Sequence, residues 1–273
     1  MKYSVLMSVY GNDNSEHLKS ALRSIYDEQT TKPDEIVVVF DGKLTDELYA
    51  VLDEFRRGKE DVVYYYPQDS NKGLGEALRL GSECCTGDYI FRMDADDISH
   101  PQRFEKQIAY IEANPDIDVV GTNIAEFYNS LCEERLRERV CPTSHEMIMK
   151  MAKKRNPMNH VTVCIRKTAL MKCGGYESLL LLEDYYLWLK MISSSCKFGN
   201  INETLVYVRI GNGFHSKRGS KIRIEGWKIL QKYMINNNLI SKFDALMNMV
   251  YIRAFIYCPT RLKKTIYDKV LRR

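Results

Sequence analysis

The sequence predicts an α/β protein in which a mainly parallel central sheet is flanked by helices and continued by a helical C-terminal extension. Three observations carry this expectation. Apolar runs of strand length alternate with helix-period segments four times, building a parallel sheet covered on both faces. The fourth run ends in a group of carboxylates, at the sheet edge where such folds bind ligands. From Lys221 onward the pattern is helical throughout.

The elements follow in order. Ser4–Val9 is a buried strand closed by Tyr10-Gly11-Asn12-Asp13, and Leu18, Ala21, Leu22 and Ile25 then repeat at helical spacing behind an Asn14 or Ser15 cap. Glu35–Phe40 is a second strand ending at Asp41-Gly42, and Leu48, Val51, Leu52 and Phe55 mark the next helix face. Val62–Tyr66 is the third strand, and the polar loop Pro67–Gly73 leads into a helix carrying Leu74, Ala77, Leu78 and Gly81. Asp88–Met93 is the fourth strand. The second half is less regular. Pro101 opens a helix with Phe104, Ile108 and Ile111, while Asp118–Thr122 and Ala125–Tyr128 read as two separate strands. Ser144 caps a helix through Met151, and the loop Asn156–His160 precedes a strand over Val161–Ile165. Cys173-Gly174-Gly175-Tyr176 is a turn, Glu183-Asp184 opens a helix, and Leu205–Arg209 is a final strand before the polar loop Gly211–Gly219.

With 273 residues, 45% hydrophobic and 28% charged, the chain has material for one large or two small soluble domains. A net charge of +4 does not point to nucleic acid, and no nucleic-acid partner is expected. Met1-Lys2-Tyr3 runs directly into strand-like sequence, so no secretory signal is expected. The uncharged stretch between Asp244 and Arg253 is too short to span a bilayer. The eight cysteines show no Cys-x-x-Cys pairing, which favours reduced thiols in a cytosol over zinc ligands or disulfides.

Arg92-Met93-Asp94-Ala95-Asp96-Asp97 holds the densest chemistry. In extended backbone, residues two apart share a side, so Asp94 and Asp96 are expected to converge and Asp97 to face away. Carboxylates this close repel unless a cation or buried donors lie between them. One reading is a hard divalent ion, Mg2+ or Mn2+, shared with a phosphate ligand. The other is a polar turn before a helix, with Ser99 and Pro101 as its N-cap region.

Five segments, Ser4–Tyr10, Val37–Gly42, Asn71–Ala77, Asp94–Asp97 and Leu182–Tyr185, occur in an order and at spacings that resemble the inverting glycosyltransferases of family 2. That family has the GT-A nucleotide-diphospho-sugar fold, and the resemblance covers roughly residues 1 to 215. Asn156-Pro157-Met158-Asn159-His160 followed by Arg166-Lys167 looks like the bacterial O-antigen and exopolysaccharide members. The resemblance implies a UDP-sugar donor, with Val9, Tyr10 and Asp41 at the nucleotide base and Asn71 and Lys72 near base and ribose. Phe40-Asp41-Gly42 stands where family members often have Asp-Asp-Gly. The resemblance also implies that Asp94 and Ala95 face ribose and donor sugar, and that Asp96 binds the Mn2+ or Mg2+ ion bridging the two phosphates. Arg209 and Arg218 would close over the diphosphate, with His215 as a further metal ligand; a plain basic loop is the alternative.

By the same resemblance Asp184 is the base that deprotonates an acceptor hydroxyl, with Glu183, His160 and Trp188 on the acceptor side. Acids at a helix start also have a structural explanation in the helix dipole, and a histidine beside a strand is often a satisfied structural residue. The acceptor implied is a saccharide on a polyprenyl diphosphate. The expected place of action is cytoplasmic, peripheral on the inner face of the membrane. Residues 1–98 form the expected nucleotide-sugar half, 99–219 the acceptor half, and 220–273 the extension. Apolar residues of the extension and the cations Arg261 through Arg273 suit an anionic membrane as well as packing on the domain. The rival functions are a nucleotidyltransferase and a nucleotide-sugar-binding scaffold without turnover. A dinucleotide-dependent oxidoreductase would need a Gly-x-Gly-x-x-Gly turn, which the first strand does not precede.

Overall fold

The computed structural model describes residues 1–128, 131, 136–179, 181–210 and 222–258. Its first half forms as the alternation predicts. The strands β1 (Tyr3–Tyr10), β2 (Glu35–Asp41), β3 (Val63–Pro67) and β4 (Tyr89–Met93) are parallel, in the order β3-β2-β1-β4. They are joined by the helices α1 (Ser15–Ile25), α2 (Asp46–Arg56) and α3 (Leu74–Cys84). Asn14 and Thr45 cap α1 and α2 by accepting from backbone amides of the first turn. On one sheet face Val5, Met7 and Val9 pack with Leu18, Leu22, Leu48 and Leu52. On the other, Leu6, Val37 and Val39 meet Ala77 and Leu78. With both faces covered, β2 is buried at every position, which explains its unbroken apolar run. Parallel pairing also delivers Tyr10, Asp41 and Met93 to the same edge of the sheet.

The second half closes around that edge. It comprises β5 (Ile98–Ser99), α4 (Arg103–Ala113), β6 (Val119–Phe127), β7 (Arg137–Arg139), α5 (His145–Ala152), a single 3-10 turn (His160–Thr162), β8 (Cys164–Arg166), α6 (Lys167–Lys172), α7 (Glu183–Ser193), β9 (Phe198–Arg209), α8 (Ile222–Asn236) and α9 (Lys242–Tyr257). The nine described strands make one sheet, β3-β2-β1-β4-β8-β6-β9-β5, with β7 paired to the far part of β6. β8 is antiparallel to both neighbours, whereas β6 and β9 run parallel.

Three strand expectations need correction. Asp118–Thr122 and Ala125–Tyr128 are one strand, because the polar residues between them are satisfied inside the protein. Thr122 N donates to Thr162 Oγ1 at 2.9 Å, and Asn123 Oδ1 accepts from Cys141 N at 2.9 Å. A register shift at Thr122–Asn123 absorbs the irregularity. Val161–Ile165 is split between the 3-10 turn and β8, and β9 starts at Phe198 rather than Leu205.

Arg103 fixes the end of β4. It is fully buried and donates to Arg92 O at 2.9 Å, Val161 O at 3.2 Å and Gln107 Oε1 at 3.0 Å. Burial pulls its guanidinium down to about 9. The helical extension packs on α7, where Leu182, Tyr185 and Leu189 meet Leu230 and Met234. Asn248 then ties α9 down by donating to Lys153 O at 2.9 Å and Gln231 Oε1 at 3.0 Å. Residues Arg261 through Arg273 lie outside the described residues.

Candidate active site

Asp41 ends β2 as a buried carboxylate and organises the loop before α3. Its oxygens accept from Lys72 N at 2.7 Å and Gly73 N at 3.0 Å. Gly42 makes this approach possible: its φ is +85°, and a Cβ there would lie 2.6 Å from Asn71 N. Asn71 and Lys72 are exposed on this loop, and Tyr10 is exposed at the end of β1, whereas Val9 is buried beneath it. Tyr10 N donates to Asp13 Oδ2 at 2.9 Å, so the turn after β1 presents a carboxylate that sequence reasoning passed over.

The acidic segment after β4 is a turn rather than extended backbone, which corrects the orientation expected of Asp97. Carboxylate oxygens of Asp94, Asp96 and Asp97 all lie within 4.8 Å of one another. Asp96 and its neighbour Ala95 differ sharply, the first exposed and the second buried. Asp97 is buried and accepts from Arg209 N at 2.8 Å, while Arg209 Nε donates to Asp96 O at 3.1 Å. β9 thus locks the acidic turn from the opposite side. Arg92, buried on β4, donates to Asp94 Oδ2 at 2.5 Å and also pairs its second amino group with Asp94 Oδ1.

The electrostatics are those of crowded anions. Lost hydration and then the Asp94 charge push Asp96 up to about 6. The same causes, with Asp96 added, hold Asp97 well above the ordinary carboxylate range. Desolvation raises Asp13 to about 7, with smaller contributions from Asp96 and Asp94. An all-oxygen cluster under such strain fits a hard divalent cation such as Mg2+ or Mn2+ and offers nothing to a soft one. His215 and Arg218 lie outside the described residues.

Asp184 stands in the first turn of α7 with both oxygens engaged. Oδ1 accepts from Tyr185 N at 2.7 Å and Oδ2 from Asn156 Nδ2 at 2.5 Å. Asn156 is itself oriented, because its Oδ1 accepts from Met158 N at 3.2 Å and leaves the amide hydrogens for Asp184. Glu183 accepts from Leu181 N at 3.3 Å, and its Cγ would lie 3.2 Å from a Cβ at Gly75. The start of α3 therefore abuts the start of α7.

Asp94 and Asp184, one from each carboxylate group, both act electrostatically on Tyr176. It is buried, with its hydroxyl 3.0 Å from His160 Nε2. Burial raises its phenol, Arg92 opposes that shift, and both Asp184 and Asp94 add to it. Burial first and then Arg92 hold His160 far below its usual range, so the ring is neutral at physiological pH. Trp188 does not reach the acceptor side as expected. It is 0% exposed and stands edge-on to His160 and Phe198, so it floors the site instead of contacting a ligand.

Sequence reasoning named Asp41, Asp94, Asp96 and Asp184 but not Asp13, Arg92, Asn156 and Tyr176, each of which interacts with one or more of those carboxylates in the structure. For Arg92 a signal existed: a cation inside a buried apolar run needs a partner, and the acid two positions later shares its side.

The chain as a whole is similar to several known proteins. The model for glycosyl transferase family 2 matches residues 4–180. The UDP-Gal:alpha-D-GlcNAc-diphosphoundecaprenol beta-1,3-galactosyltransferase of Escherichia coli is 36% identical over 100% of this chain and 97% of its own length. The amylovoran biosynthesis glycosyltransferase AmsE of Erwinia amylovora is 34% identical over 98% of both chains. Among solved structures, S. aureus TarS 1-349 in complex with UDP-GlcNAc superposes with a TM-score of 0.70 and 17% identity, covering 99% of this chain and 76% of that one.

Proposed function

Since this chain belongs to glycosyl transferase family 2, we propose that it is an inverting enzyme that moves a sugar from a UDP-sugar to a hydroxyl of a saccharide carried on a polyprenyl diphosphate. The observation that carries the reading is that the start of α7, which bears Asp184, abuts the start of α3, whose preceding loop Asp41 orders, so an acceptor-side carboxylate stands beside the donor-side edge of the sheet. In this reading Tyr10, Asp41 and the Asn71–Lys72 loop receive the nucleotide, and Asp94 faces ribose and sugar. Asp96 holds Mn2+ or Mg2+, which when bound offsets the charge of the diphosphate. Arg209 lies beside the same charge. Lys72, exposed on the loop that Asp41 orders, adds a second cation.

The reaction is a single displacement. The acceptor O–H gives its proton to Asp184, the oxygen forms a bond to the anomeric carbon, and the bond from that carbon to the diphosphate breaks, releasing UDP with inversion. Asn156 fits this role, because its amide hydrogens hold the Asp184 carboxylate in a fixed orientation. Glu183 and His160 line the acceptor side. Residues 1–98 then serve the donor and 99–219 the acceptor. The names of two relatives support the substrate classes: the Escherichia coli enzyme's includes a UDP-galactose donor and a diphosphoundecaprenol-linked acceptor, and the S. aureus structure holds UDP-GlcNAc. An acceptor of that kind would place the protein at the cytoplasmic face of the membrane.

Screening UDP-sugars for divalent-cation-dependent transfer or hydrolysis tests the reading. One UDP-sugar is expected to turn over with Mn2+ and stop with chelator, and Asp184→Asn is expected to lower turnover by about 10²–10⁴. Turnover in Asp184→Asn equal to that of the unaltered protein would contradict it.

A further inference from the structure

Helix α9 is apolar on both sides. Its inward side is fixed by Ala245, Asn248 and Ile256. Outward, Phe243, Leu246, Val250 and Ala254 recur at spacings of three and four residues, which aligns them along one helix face. Phe243 is 70% exposed and Leu246 61%, and Tyr251 beside them is 67% exposed. Apolar side chains facing outward over about three turns are not the surface of a helix facing water.

The charge around the stripe decides its occupant. Lys242 and Arg253 flank it on α9, and Lys232 lines the groove it shares with α8. Lys153 and Lys154 lie close enough to act on Asp244 at the N-terminal end. Of the nearby acids, Asp244 is held by the Ser241 capping box and Glu225 by Lys228 at 2.6 Å. A second copy of this chain would bring a like-charged rim against this one. An anionic lipid surface instead complements the rim, and it accepts Phe243, Leu246 and Tyr251 at headgroup depth. No described helix is long and apolar enough to cross a membrane, so any contact made by α9 is with the surface.

We propose that the outward face of α9, with its rim of lysines and arginine, docks this protein on anionic membrane surfaces. The purpose rests on the lipid-linked acceptor reading above, but the stripe and its rim do not. Docking would hold the enzyme in the plane where such an acceptor lies.

The test is sedimentation of the full chain with phosphatidylcholine vesicles, with and without about one-third phosphatidylglycerol. Binding is expected only to the anionic vesicles, weakening at high salt. The double variant Phe243→Ser/Leu246→Ser, exposed at both positions, should bind about tenfold more weakly, and Lys232→Glu/Arg253→Glu likewise. UDP-sugar hydrolysis without vesicles should be unchanged in both. Equal binding by the variants, or none by the unaltered chain, would overturn the proposal. So would a dimer in sedimentation velocity that the serine variant abolishes without vesicle binding, since the face would then belong to a second copy. Absence of hydrolysis in every form, with binding intact, would count against the glycosyl transfer reading and leave docking standing.

Discussion

Asn156 approaches Asp184 to 2.5 Å with an amide that can only donate from the side it presents. A carboxylate in its place would have to share a proton with Asp184, because two anions that close cannot both ionise. Asn156→Asp is therefore expected to move the acidic limb of the kcat–pH profile upward by about one pH unit or more. Asn156→Ala should lower kcat without that displacement. An unmoved limb in Asn156→Asp would mean that Asp184 is not the base in turnover. At this scale the sequence was most readable where chemistry is local. Asp94 and Asp96 announce themselves by spacing. Tyr176 and Asn156 do not, because a buried phenol beside His160 and an amide reaching across 28 positions arise only from the folded chain.

The elements divide in the same way. β1 to β4 and their helices follow from apolar periodicity and caps, since each is stabilised mainly by its own pattern and the layer it covers. β6 departs from the expectation because buried hydrogen bonds from other elements satisfy its polar residues, so Thr122 and Asn123 read as a break but form a strand. The turn at Gly42 is an element whose geometry sets the Asn71–Gly73 loop. Gly42→Ala would force an L side chain into positive φ and against Asn71 N, with no flexible atom to yield. It is expected to destabilise the protein by about 1–3 kcal/mol and to weaken UDP binding through the displaced Asn71–Gly73 loop. Denaturant midpoints and UDP titrations check the two effects; unchanged values in both would remove Asp41 and its loop from the donor site.

For the molecule as a whole, the crowded acids are expected to couple cation binding to stability. Asp96 rises from 3.8 to about 6 and Asp13 from 3.8 to about 7. A carboxyl raised in the folded state binds its proton more tightly there than when unfolded, so its stabilisation is present at low pH and is lost as pH climbs through the folded value. In chelator, the Tm is expected to fall between about pH 4 and pH 7, and Mn2+ with UDP to restore it at pH 7. A Tm indifferent to the cation there would speak against the acidic turn as its seat. In the proposed reaction two carboxylates divide the labour, Asp96 for the diphosphate and Asp184 for the acceptor proton. Calorimetric titration of UDP in the presence of Mn2+ separates them most directly. Asp184→Asn should bind within about threefold of the unaltered protein, while Asp96→Ala should lose the Mn2+-dependent part of the affinity. The reverse pattern, with Asp96→Ala binding normally and Asp184→Asn not binding, would contradict the assignment.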